Sequence, residues 1–82
     1  MKDSIFNLEK MYAMYLEQVE LSEETMGTVQ RKETKQAYFG ACAHLLILIR
    51  DELPKLPEDE GMEAYQYMLD QVRDYLNNIF NP

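Results

Sequence analysis

The feature that most constrains this chain is the run Ala37-Tyr-Phe-Gly-Ala-Cys-Ala-His-Leu-Leu-Ile-Leu-Ile49. It is the only long apolar stretch, with a basic lead-in before it and Pro54 after it. Phe39, Cys42, Leu46, Ile49 and Leu53 recur at alternating steps of three and four. Tyr38, Ala41, Leu45 and Leu48 form a second, adjacent stripe. Two adjacent stripes leave a helix apolar nearly all round, and such a helix must be covered on several sides. A chain of 82 residues buries only about 60–65% of the surface its unfolded form exposes. Two neighbouring helices from the same chain cannot cover the run alone. The pattern therefore predicts an all-α protein with a long central helix over 28–53, hidden partly by flanking helices and partly by other copies of the chain.

The flanks read as helices too. Ile5, Leu8, Tyr12, Tyr15 and Val19 keep the three-four spacing of one helical stripe. This predicts a first helix over 4–20, capped by Asp3 or Ser4. Residues 21–27 break the pattern at Gly27, Ser22-Glu-Glu-Thr25 can form a turn, and Thr28 is the expected cap of the central helix. Pro54 ends that helix, because proline disfavours helical backbone at the preceding residue. Pro57 followed by Glu58, Asp59 and Glu60 marks the next start, where negative charge suits the helix dipole. Met62, Tyr65, Leu69, Val72, Leu76 and Ile79 then make the cleanest stripe in the chain and predict a third helix over 58–80. Short connectors favour antiparallel neighbours. The expected protomer is one domain, 1–82, a three-helix up-down-up unit assembled as a homo-oligomeric helical bundle.

Composition removes several function classes. Cys42 is the only cysteine, so no disulfide forms within the chain, and one cysteine with one histidine does not suggest zinc. A free thiol suits a reducing cytoplasm. Net charge is −7, which repels nucleic acid and anionic membranes overall. The run 37–49 is too short to span a bilayer. Met1-Lys-Asp-Ser4 leads straight into an amphipathic pattern, without the apolar segment of a signal peptide. Glu17 and Glu20, Glu60 and Glu63, and Asp70 and Asp74 are spaced as carboxylate pairs, but they fall near polar faces. No Glu-x-x-His, nucleophilic triad or phosphate-cradling glycine loop occurs. The reading is a protein with no catalytic residues, metal or cofactor.

Charge is divided unevenly. Residues 1–27 carry two basic and six acidic side chains, residues 28–53 four and three, and residues 54–82 two and six. The central helix is thus the only part that attracts an anion. Arg31, Lys35 and Tyr38 lie four and three residues apart on one face, and Lys32 and Phe39 form a set beside them. Arginine holds phosphate bidentately and an aromatic face stacks on a base or a cation. The sharp reading is a site for a phosphorylated, base-bearing ligand, such as a cyclic nucleotide, between subunits. The plain one is a solvated helical face whose Arg31 and Lys35 pair with the acidic helices.

Ala37, Gly40, Ala41 and His44 form a small-residue ridge, and Leu48 continues the apolar face below it. Glycine inside a helix costs about 1 kcal/mol relative to alanine, so close approach of helix one or of a second subunit is expected there. Cys42 reads as a buried, inert thiol and His44 as a packed or interface histidine. Tyr12, Tyr15 and Tyr65 sit on stripes and read as core.

The segment Gln30-Arg-Lys-Glu-Thr-Lys-Gln-Ala-Tyr-Phe-Gly-Ala41, followed by an acidic connector and a terminal amphipathic helix, resembles a pattern in small, uncharacterised helical proteins encoded by bacteriophages and prophages. Arg31, Lys35, Tyr38, Phe39 and Gly40 carry the resemblance, which spans about residues 26–80. Lys35-Gln36 stands where that pattern often has two adjacent basic residues. The resemblance implies no reaction. It implies a phage-type binding protein in the bacterial host cytoplasm, such as a counter-defence sponge that sequesters a nucleotide signal. An acidic inhibitor of a host protein and a purely structural assembly domain are the other readings.

Overall fold

The computed structural model describes residues 4–80, and within them the chain is all-helical, with no strand. Helix α1 spans Leu8–Gln18, α2 spans Thr28–Asp51 and α3 spans Glu58–Phe80. A short 3-10 turn, Leu53–Lys55, lies between α2 and α3. The chain divides after Ala43 into two compact units, and α2 runs through the division. None of the helices among the described residues is long and apolar enough to cross a membrane.

In the first unit, α1 starts later than its stripe suggests. Asn7 is its cap: the backbone is extended there and the Asn7 side chain accepts from the Lys10 amide at 3.2 Å. Ser4 instead closes a local turn, its hydroxyl accepting from the Phe6 amide. Asp3 lies outside the described residues. The local competition explains the shift, because a serine side chain that bonds the backbone two residues on offers an alternative to helix. Ile5 and Phe6 therefore stand outside α1 and are exposed.

The end of α1 is a left-handed stop. The Leu21 amide donates to the Leu16 carbonyl at 2.8 Å and the Glu20 amide to the Glu17 carbonyl at 3.1 Å. That pair of bonds, with Leu21 packed against the cluster containing Leu16, is the Schellman arrangement. It places Glu20 at φ 59, a conformation normally left to glycine. Ser22 then forms the anticipated turn, its carbonyl accepting from the Thr25 and Met26 amides. Gly27, not Thr28, is the half-turn before α2: its carbonyl accepts from the Arg31 amide at 2.9 Å, and Thr28 is already helical.

Tyr12, Leu16 and Met26 are the buried core of this unit, and Leu21, Tyr38 and Phe39 pack on it. The stripe on α1 thus meets the first half of α2. Tyr15 stays partly exposed despite its place on the stripe.

In the second unit, α2 ends at Asp51, two residues before the expected Leu53. The tighter 3-10 turn takes over there, with Pro54 inside it. Leu56 is extended ahead of Pro57, as a residue before proline must be. The Gly61 amide donates to the Pro57 carbonyl, so α3 begins where its acidic first turn predicts. No apolar side chain described in this unit is fully buried. Leu45, Leu46, Ile47, Leu48 and Ile49 on α2 are all exposed, as is Tyr65 on α3, which was expected in the core.

Candidate functional site

The basic start of α2 faces an open groove of about 530 Å³ in the first unit. Arg31, Lys32, Lys35 and Phe39 line it from α2, Glu9 from α1 and Glu23 from the intervening turn. Helical spacing brings the α2 side chains together, since residues four apart stack on one face.

Lys35 is the centre of the groove and is already engaged. Its Nζ lies 3.0 Å from a Glu9 carboxylate oxygen. It also sits 5.7 Å from the Tyr12 ring centroid and 5.8 Å from that of Phe39. The hydrogen bond to Glu9 raises the Lys35 pKa above the usual lysine value. The Arg31 guanidinium reaches the Met26 carbonyl at 3.5 Å, a long contact. Among the described residues neither Arg31 nor Lys32 makes an ion pair, so these two cations are available to an incoming anion. The balance around the groove is three cations against two carboxylates.

Tyr38 does not join this set. It packs on α1, 5.1 Å from the Tyr15 ring and 5.3 Å from the Tyr12 ring, and its own ring lies 6.0 Å from Phe39. The reason is angular. With 3.6 residues per turn, Tyr38 is offset from Lys35 by about 60° to one side and Phe39 by about 40° to the other. Helix α1 covers the Tyr38 side. Burial there pushes the Tyr38 hydroxyl pKa up. Phe39 is the ring left to wall the groove.

The plain reading of Lys35, a pair with an acidic helix, holds for α1. Glu9 and Glu23 are groove residues that local spacing did not point to. Their approach to α2 depends on how the 19–27 turn returns the chain, which no helical period encodes. The only local signal was the acidic bias of residues 1–27.

The ridge residues Ala37, Gly40, Ala41 and His44 are exposed, and Leu48 borders an apolar groove in the second unit. A Cβ added at Gly40 meets nothing within 4 Å. Helix α1 is therefore not what approaches this glycine. Cys42 is half-buried and its thiol is free. Among the described residues no three His, Cys, Asp or Glu side chains stand together as metal ligands. The groove can hold an anion and a flat apolar group.

Comparison with family models, with curated proteins and with solved structures gives no match for this chain.

Proposed function

We propose that the chain is a non-enzymatic, homo-oligomeric helical binding protein that sequesters a phosphorylated, ring-bearing small ligand such as a cyclic nucleotide. The observation that carries this reading is the groove at the start of α2, where Arg31 and Lys32 lack carboxylate partners beside the wall of Phe39. Lys35 contributes by exchanging part of its bond to Glu9 for the ligand. The stacking role passes from Tyr38 to Phe39. The groove is open, and a second subunit laid over it would exclude water from the ligand and strengthen the charge contacts. In keeping with the resemblance to phage proteins, the proposal is of a sponge that acts in a bacterial host cytoplasm and removes a defence signal.

Thermal shift and calorimetry against cyclic mono- and dinucleotides, with inorganic phosphate as control, test the reading. Binding that falls at least tenfold in Arg31→Ala/Lys32→Ala supports it. Binding unchanged in that variant, or no binding at all, removes it. A second reading, a structural assembly domain, is favoured by the exposed apolar side chains Leu45 to Ile49. It predicts a stable oligomer that takes up none of these ligands. The acidic-inhibitor reading predicts instead capture of one host protein that high salt releases.

A further inference from the structure

The apolar stripe of α3 is uncovered from end to end. Met62, Tyr65, Leu69, Val72, Leu76 and Ile79 are all between 43% and 66% exposed. The face that α3 turns most closely toward its own α2 and the 3-10 turn carries Gly61, Ala64 and Met68, which are less exposed. The first two stripe residues, Met62 and Tyr65, border a groove with Ile49 and Leu53. The added Cβ at Gly61 would sit 3.9 Å from the Leu53 carbonyl, an ordinary contact. Among the described residues of the second unit, Leu69, Val72, Leu76 and Ile79 line no groove with α2 or the 3-10 turn, and Met62 and Tyr65 keep about half of their surface open.

The spacing says what kind of partner. Steps of three, four, three, four and three average near 3.5 residues, the period of a seam that packs on another helix at a shallow angle. Over residues 62–79 that seam is about 26 Å long at 1.5 Å per residue.

The order of the steps says more. Read from either end, the seam is the same. A second α3 laid antiparallel sets Met62 against the partner's Ile79, Tyr65 against the partner's Leu76 and Leu69 against the partner's Val72. Each layer pairs one larger with one smaller or branched side chain. Charge selects the same direction. Parallel pairing in register would put Glu58, Asp59, Glu60 and Glu63 of two copies side by side, a repulsive arrangement. Antiparallel pairing moves the two acidic turns to opposite ends of the pair and sets Glu63 level with the partner's neutral Asn78. It also opposes the two helix dipoles favourably. On the flank, Gln66 faces the partner's Arg73 and no like charges meet.

We infer that α3 pairs antiparallel with α3 of a second copy of this chain, about a twofold axis between Asp70 and Gln71. The inference rests on the self-association proposed above, and adds which surfaces meet and in which direction.

Two measurements separate the two ideas. Light scattering on the full chain reads the mass, with a dimer or a multiple of it expected. Disulfide trapping in a Cys42→Ser background then reads the register. Gln66→Cys/Arg73→Cys is expected to give an interchain bond between the two positions under mild oxidation. Gln66→Cys alone is not, because antiparallel copies of that position lie about 13 Å apart along the axis. A monomer at high concentration overturns both ideas. An oligomer in which the double variant crosslinks no faster than the single one keeps self-association and overturns the α3 pairing. Leu69→Gln/Val72→Gln adds a check that does not need oxidation. It should lose the α3 contact while circular dichroism retains the helical signal. An unchanged mass overturns the pairing.

Discussion

Glu20 occupies a position built for glycine. Its φ of 59 belongs to the left-handed region, which costs an L-residue about 1–2 kcal/mol. The two bonds that create the turn come from backbone amides and do not need the glutamate side chain. Glu20→Gly should therefore raise stability by about 1 kcal/mol, read as a higher denaturant midpoint with unchanged slope. A lower midpoint would mean that the carboxylate does something the backbone does not. Tyr12 is the second strained residue. It is 3% exposed, and its hydroxyl has no hydrogen-bond partner among the described residues. A buried polar group left unpaired costs about 1–3 kcal/mol. Tyr12→Phe keeps the ring contacts with Tyr38, Phe39 and Lys35 and removes the orphan group. It should be neutral or stabilising by up to about 1 kcal/mol in chemical denaturation. A loss above that would show that the hydroxyl has a partner in solution.

At the level of the helices, contact between α1 and α2 depends on Lys35 and Tyr38, and both titrate in the alkaline range. The bond to Glu9 raises the pKa of Lys35, and burial raises that of Tyr38. A group whose pKa is raised by folding binds its proton more tightly in the folded state. Its stabilisation is complete below the unfolded value and is lost as pH rises through the folded one. Both groups have unfolded values near 10. The melting temperature should therefore hold to about pH 9 and fall above about pH 10. Tyr38→Phe should fall less steeply over that window. A flat profile to pH 11 in the unaltered protein would remove these two residues from the α1–α2 contact.

The ends of these helices show how far local rules reach. Proline and acidic residues placed the start of α3 correctly, because both act within one turn of where they stand. The start of α1 was misplaced, because Asn7 and Ser4 are equally acceptable caps and the choice between them was made by the turn at Ser4. The candidate groove was legible in its α2 half for the same reason. Arg31, Lys35 and Phe39 come together by helical spacing alone, whereas Glu9 and Glu23 come from elsewhere in the chain.

For the molecule as a whole, the dominant fact is a shortage of cover. The core of the first unit is Tyr12, Leu16 and Met26, and the apolar second half of α2 is exposed. Leu46 and Ile47 are 53% and 50% exposed and line none of the grooves described here. Leu46→Gln/Ile47→Gln should leave helical content within about 10% of the unaltered chain. If these side chains meet another copy, the same variant should shift the protein toward monomer by sedimentation, because burying each is worth about 1.5–3 kcal/mol. Unchanged association would exclude this part of α2 from the contact between copies.

The chain's periodicity determined that it forms helices and where the apolar faces lie, because helical spacing is a property of neighbours along the chain. It also located the acidic and basic stretches. The tertiary structure decided which faces find cover. It put Tyr38 against α1 and left Phe39 to the groove, tied Lys35 to Glu9, and left the α3 stripe and the second half of α2 open. Those outcomes depend on where the turns return the chain, and contact between residues distant in sequence leaves no mark on the period of either segment.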